Sequence, residues 1–342
     1  MVELDAVIPI SSWLVGMCWL LLVPGTPWAE LLAAPLPEAR ALIQERGTAL
    51  PPGRVTGGMQ APLERAEGGD TPVLTFSSDR GPVRLLLDTG AASAMVSPAL
   101  VRRLALKSWP LSPAQFSLAG AGESCAHRAL SKTRLPELRY GAASAQPPPL
   151  RLQGVEGFVL PVVALPPGID GVLGAAALKQ VPFGIDPLSE QVFFGEPALQ
   201  WRQRFHTQPE VIPLHWRRGV PLGGIRVGSG SSGGFSRWDA LFDTGAEGLF
   251  LTPALAAMLR PLGPAQPVRL VGVCGEQKVW RQRLMGVGVG PQALPIQTLD
   301  AIVTTNPVFA LLGVEAIVGQ EVLRFRRQLW RLDTPTPRLE LW

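Results

Sequence analysis

Lysine is nearly missing from this 342-residue sequence: only Lys107, Lys132, Lys179 and Lys278 stand among 31 basic residues, and the net charge is +4. Without a concentrated basic stripe there is no footprint for a nucleic-acid backbone, and no nucleic-acid partner is expected. Cysteine is as scarce. Cys18, Cys125 and Cys274 cannot build a disulfide framework, and no Cys-x-x-Cys or His-Glu-x-x-His spacing offers a metal site, so neither a metal nor another cofactor is expected. His127, His206 and His215 lie in polar or linker-like stretches and suggest no Ser-His or Cys-His nucleophile. Charge is low throughout, at 17% against 46% hydrophobic residues, which excludes a disordered chain; Gly 37 and Pro 35 add many loops. At about 100–200 residues per domain, a loop-rich protein of two or three domains is expected.

The N-terminus is the one long uncharged run. Residues 6–29 carry no charge and the centre, from Trp13 to Leu22, is strongly apolar. Residues 1–29 therefore read as a cleaved export signal or a retained membrane anchor, placing the protein outside the cytoplasm or tethered through residues 6–29. Glu3 and Asp5 stand where a basic leader would be, and Cys18 follows Met17 rather than a small residue, which disfavours lipid attachment. Residues 30–70, with Pro51-Pro52-Gly53 and Gly68-Gly69, read as a linker or pro-segment with one short helix near Pro37 to Glu45.

From residue 71 the sequence repeats. Leu85-Leu86-Leu87-Asp88-Thr89-Gly90-Ala91 returns as Ala240-Leu241-Phe242-Asp243-Thr244-Gly245-Ala246. Each copy is followed by a helix cap with proline at the first helical position, Ser97-Pro98-Ala99-Leu100 and Thr252-Pro253-Ala254-Leu255. Val172-Leu173-Gly174 matches Ile317-Val318-Gly319, and the hairpin aspartate Asp186 matches Asp333, all at a period of about 150 residues. In each Asp-Thr-Gly an apolar strand delivers a carboxylate into a turn, the threonine hydroxyl can bond a neighbour, and glycine admits close backbone approach. Burying such a carboxylate is costly, so a compensating use is implied.

This pair of motifs resembles the pepsin/retropepsin superfamily of aspartic proteases, over residues 71 to 342. The resemblance implies a mostly β chain with two pseudo-symmetric retropepsin-like (acid protease) β-barrel lobes, at 71–197 and 198–342, a tandem in one chain. It implies that Asp88 and Asp243 meet as a catalytic dyad, that Thr89 and Thr244 lock the two loops, and that Gly90 and Gly245 let them touch. Function follows as an aspartic endopeptidase acting on a protein or peptide through an activated water, without cofactor, as a monomer whose halves form an intramolecular pseudo-dimer; the rival is a peptide-binding or scaffolding module that keeps the fold. Tyr140, the sole tyrosine, is badly placed for the flap tyrosine of pepsin-like enzymes.

Flap hairpins are expected at residues 118–123 and 270–276, giving Gly120, Gly122, Gly272 and Gly275 as substrate-facing candidates. Cys125 and Cys274 fall in these matching segments; a disulfide between them and two unpaired thiols are both open, the thiols being the default. After Asp-Thr-Gly-Ala the copies differ. Glu247 and Gln320 have Ala92 and Ala175 as counterparts, and in many retropepsins the acid at this place binds substrate backbone and pairs with a polar residue after the second glycine. Glu247 is thus a substrate-binding candidate, on one lobe only. The run Arg324 to Arg331 reads as a helix end passing into an edge strand.

Overall fold

The computed structural model describes residues 42–47, 49–120, 130–141, 148–160, 165–228, 235–272, 274–289 and 297–342. Strands form where β-branched and large apolar residues cluster: Pro72–Phe76, Val83–Asp88, Glu156–Val159 and Gln191–Phe194. The capped helices start as expected. Ser97 Oγ accepts from Leu100 N at the head of Pro98–Arg103, and Thr252 Oγ1 accepts from Leu255 N at the head of Pro253–Ala256.

Two lobes share one strand order. In the first, the sheet runs Pro72–Phe76, Val83–Asp88, Gly171–Gly174, Ala94–Val96, Glu156–Val159, Leu130–Arg134, Ser108–Leu111. In the second it runs Val220–Gly228, Phe235–Phe242, Ala316–Val318, Leu249–Leu251, Gln297–Val303, Gly275–Val289, Arg260–Pro261. The match is strand for strand, and both lobes carry the same parallel pairing beside the aspartate, Gly174 opposite Asp88 and Val318 opposite Phe242. The fold is mostly β, with two pseudo-symmetric lobes of the same strand order in one chain.

A six-stranded layer joins the lobes. The hairpin Phe183–Asp186/Gln191–Phe194 pairs antiparallel with the hairpin Gln328–Arg331/Arg338–Leu341, Phe183 opposite Trp330 and Gly184 opposite Leu329. Met59–Pro62 closes one side and Glu210–Arg217 the other. Phe183 stacks on Trp330 with ring centroids 5.7 Å apart, both fully buried. Below the dyad strands one core spans the lobes, holding Leu85, Leu87, Ala240 and Phe242. The alternate residues, Leu86 and Leu241, face two separate clusters on the other side of each sheet.

Three expectations are corrected here. Of the stretch read as a linker or pro-segment, the linker reading fails, since it supplies strands, Leu42–Arg46, Arg54–Thr56, Met59–Pro62 and Glu64–Arg65, and Leu42–Arg46 is extended rather than helical because it pairs with Ser117–Gly120. The arginine run does not end on an edge: Gln328–Arg331 lies inside the central layer, and its neighbours fasten the halves through Arg324–Asp70 at 2.9 Å and Arg327–Asp186 at 3.2 Å. Cys274 is disulfide-bonded rather than a thiol. Its partner lies outside the described residues, as do Cys18 and Cys125. Among the described residues no helix is long and apolar enough to cross a membrane, and the segment 6–29 lies outside them.

Candidate active site

Each dyad strand ends in a buried turn, and the two turns meet. Thr89 Oγ1 donates to Phe242 O at 2.8 Å and accepts from Thr244 N at 3.0 Å; Thr244 Oγ1 donates to Leu87 O at 2.8 Å and accepts from Thr89 N at 3.1 Å. Four bonds thus tie the loops in pairs related by the pseudo-two-fold axis. Both threonines are fully buried, so every one of these groups would otherwise lack a partner.

The glycines are there for contact. A Cβ on Gly90 would stand 2.2 Å from Asp243 Oδ2, and one on Gly245 would stand 2.3 Å from Asp88 Cγ. No side chain fits between the backbone of one loop and the carboxylate of the other. Asp243 Oδ1 accepts from Gly245 N at 2.8 Å and from Gly90 N at 3.2 Å, while Asp88 Oδ1 accepts from Ala91 N at 2.8 Å.

Asp88 and Asp243 are 1% and 0% exposed. Burial, then the negative charge of Asp243 and the hydrogen bond with it, raise Asp88 well above the ordinary carboxylate range. Burial also raises Asp243, to about 6, held down by the bond from Asp88 and the N–H groups of Gly245, Gly90 and Ala246. Two buried carboxylates that hydrogen-bond each other do not both ionise easily, and they titrate as a pair.

The other candidates separate. Glu247, on the second lobe, reaches the turn of the first: its carboxylate accepts from Asp70 N at 2.7 Å, Thr71 N at 2.8 Å and the Thr71 hydroxyl. It is 7% exposed, and a Cβ on Gly69 would collide with it. The acid expected to hold substrate accepts here two backbone N–H groups and one hydroxyl from Asp70 and Thr71. Nor does it pair with Gln320, whose amide donates to Thr244 O at 2.9 Å and so braces the dyad loop from below. Gly120 ends the strand Ser117–Gly120, which leans on the second-lobe helix Pro307–Leu312, with Ala119 in the apolar cluster of Val308, Phe309 and Leu312. Gly272 and Gly275 are the closing pair of a hairpin, with Gly275 at φ +120°. Gly122 lies outside the described residues. Sequence reading missed the Gly69–Thr71 turn as the seat of Glu247; the doubled glycine before a short strand was its only signal. Among the described residues no three His, Cys, Asp or Glu side chains converge as a metal site.

A family model described as aspartyl protease matches residues 74–177, a stretch that includes Asp88-Thr89-Gly90 and Val172-Leu173-Gly174. No curated protein matches the chain. Among solved structures, the chain is similar to basic 7S globulin from soybean, at 12% identity over 83% of this chain and 94% of that one, with a TM-score of 0.47. It is similar to conglutin gamma from lupine seeds at the same identity and coverage, with a TM-score of 0.46. Over residues 74–177 the chain is thus similar to the aspartyl proteases, and the lobe beyond that match supplies a second Asp-Thr-Gly loop facing the first.

Proposed function

We propose that the chain is an aspartic endopeptidase, a tandem of two retropepsin-like units whose fusion in one chain replaces a homodimer. The observation that carries this reading is the pair Asp88/Asp243, each held by backbone N–H groups and each against the glycine of the other loop. Fusion removes the concentration dependence of a dimeric site.

Asp243 holds the larger number of backbone donors and is the better home for the negative charge, while Asp88 keeps the proton. Asp243 accordingly takes a proton from water as the oxygen attacks the scissile carbonyl, and Asp88 donates its proton toward the carbonyl oxygen. The C–N bond then breaks as the proton on Asp243 passes to the amine nitrogen, while Asp88 takes back a proton from one hydroxyl of the gem-diol as the carboxylic acid forms. The substrate lies extended between the lobes, adding backbone bonds in the manner of a strand. Export or tethering through residues 6–29 completes the proposal, and N-terminal sequencing of the native protein tests it.

A binding module that keeps the fold has no use for a buried, proton-sharing carboxylate pair, which lowers stability unless chemistry needs it. The deciding experiment is digestion of a peptide library, read by mass spectrometry, with wild type, Asp88→Asn and Asp243→Asn. Cleavage by wild type, abolished in both folded variants, supports the enzyme; cleavage that survives in both refutes it.

A further inference from the structure

The two dyad loops carry the same four residues, Asp-Thr-Gly-Ala, yet their glycine N–H groups do not divide evenly. Gly245 N and Gly90 N both donate to Asp243 Oδ1, at 2.8 and 3.2 Å, while Asp88 Oδ1 accepts from Ala91 N. Loops of identical sequence cannot break the symmetry between themselves, so the cause lies in what surrounds them.

Beneath each loop a short helix begins, Ala175–Leu178 under the first and Gln320–Leu323 under the second. Their backbones match: Ala175 N donates to Ala91 O and Gln320 N to Ala246 O, both at 2.7 Å. Their side chains do not. Gln320 is buried and its Nε2 donates to Thr244 O at 2.9 Å, whereas Ala175 has no donor to offer. The Thr244 carbonyl and the Gly245 N–H belong to one peptide group. A donor on the oxygen draws electron density from the nitrogen, so the N–H becomes a stronger donor in turn, by about 10–30% for each bond in such a chain. The chain here runs from Gln320 Nε2 to Thr244 O and from Gly245 N to Asp243 Oδ1, wholly inside the protein. Burial raises Asp243, and the Gly245 N–H is the backbone group that most opposes the rise.

We infer that Gln320 is a positioning residue for the dyad: acting through the Thr244–Gly245 peptide, it strengthens the N–H that holds Asp243 Oδ1 and so fixes the negative charge on the second-lobe aspartate. That this charge serves as the base toward water rests on the proteolytic reading above; the effect on Asp243 itself does not. The charged groups around Gln320 are Glu321 and Arg324 beside it, Asp70 bonded to Arg324, Glu247 ahead of Leu249–Leu251, and Arg281 and Asp300 on Gly275–Val289 and Gln297–Val303. The facing strand Ala316–Val318 brings none. Gln320→Met, similar in size and equally uncharged, leaves all of them in place and removes only the donor.

The test follows each aspartate alone, by NMR titration of protein labelled at the aspartate Cγ, in Asp88→Asn and in Asp243→Asn, each with and without Gln320→Met. In Asp88→Asn the midpoint of Asp243 should rise by about half a pH unit, roughly threefold in acid dissociation, when the amide is lost. In Asp243→Asn the midpoint of Asp88 should stay within about 0.1 unit. With the dyad intact, the acidic limb of kcat/KM on a peptide should move up in pH by the same half unit or so. Equal movement of both aspartates would make Gln320 a general brace, and no movement of Asp243 would cut it out of the chain; either overturns the inference. Cleavage whose acidic limb stays put in Gln320→Met also overturns it, leaving proteolysis intact. Conversely, a shift confined to Asp243 in a protein that cleaves nothing sustains the role of Gln320 and removes the protease reading. If Gln320→Met does not fold, Gln320→Asn, one methylene too short to reach Thr244 O, takes its place with the same expected outcomes.

Discussion

Replacing Asp243 by Asn should make the protein more stable at neutral pH, and the gain should vanish in acid. Burial raises Asp243 from the ordinary 3.8 to about 6. A carboxyl whose folded value lies above its unfolded one binds more protons in the folded state between the two values, so its contribution is full below the unfolded value and is lost as pH rises through the folded value. A difference of about two units corresponds to roughly 3 kcal/mol lost by wild type between about pH 4 and pH 7. The asparagine keeps the shape and carries no charge to desolvate. Asp186 works the other way: burial raises it, but the bonds from Ser189 and the Arg327 guanidinium outweigh burial and hold it low, so its contribution is lost in acid. Both proteins contain Asp186, and its effect cancels in their difference. Urea unfolding of wild type and Asp243→Asn at pH 4, 5, 6 and 7 measures that difference. A gap independent of pH, or one in which wild type gains on the variant as pH rises, would refute the shared-proton description of the dyad.

Thr89→Val leaves Thr244 N and Phe242 O buried and unpaired, and Thr244→Val does the same to Thr89 N and Leu87 O. At about 1–3 kcal/mol for each orphaned group, each substitution should cost about 2–6 kcal/mol in urea unfolding, and the two costs should be alike; a cost below about 1 kcal/mol in either would show that the loops are held elsewhere. Glu247→Ala removes the acceptor of two backbone N–H groups and one hydroxyl, so thermal stability should fall while the cleavage profile keeps its pattern. An unchanged melting temperature with an altered profile would return Glu247 to the substrate site. Gly90→Ala places a methyl 2.2 Å from Asp243 Oδ2 and should abolish peptide cleavage even in preparations whose circular dichroism shows a retained β fold; surviving cleavage would mean the loops stand farther apart than described.

The dyad was legible in the sequence because its requirements are local. A carboxylate at the end of an apolar strand, a hydroxyl one residue on and a residue without a side chain after that are three adjacent demands, and they appear as three adjacent letters. The strand alternation was legible for the same reason: Leu85 and Leu87 face one core, Leu86 another. Leu42–Arg46 was not legible, since nothing within those five residues says that Ser117–Gly120 offers an unpaired edge. Tertiary pairing overrode a weak helical preference. The arginine run misled for a related reason. Its charges suggested a solvent edge, yet Arg324 meets Asp70, just before the first lobe, and Arg327 meets Asp186 within it, partners far away in the sequence.

Glu247 shows why a motif copied twice need not serve twice. In a symmetric dimer the residue after Asp-Thr-Gly-Ala must satisfy both copies of its surroundings at once, so an acid at this place would appear on both sides. Within one chain the two surroundings are free to differ. On the second lobe Glu247 fills the space left by Gly69 and takes the N–H groups of Asp70 and Thr71. At the matched place on the first lobe Ala92 meets Gly219, where an added Cβ would stand 3.2 Å from its own. The turn there presents a glycine at φ +80° packed against a methyl, leaving no room for a longer acid. The polar residue at Gln320 and the alanine at Ala175 follow the same division, since only the second dyad loop has a side-chain amide beneath its threonine carbonyl. The lobes thus agree where the two aspartates impose agreement and diverge one residue beyond it, which is the pattern expected when a pseudo-symmetric site no longer needs identical halves.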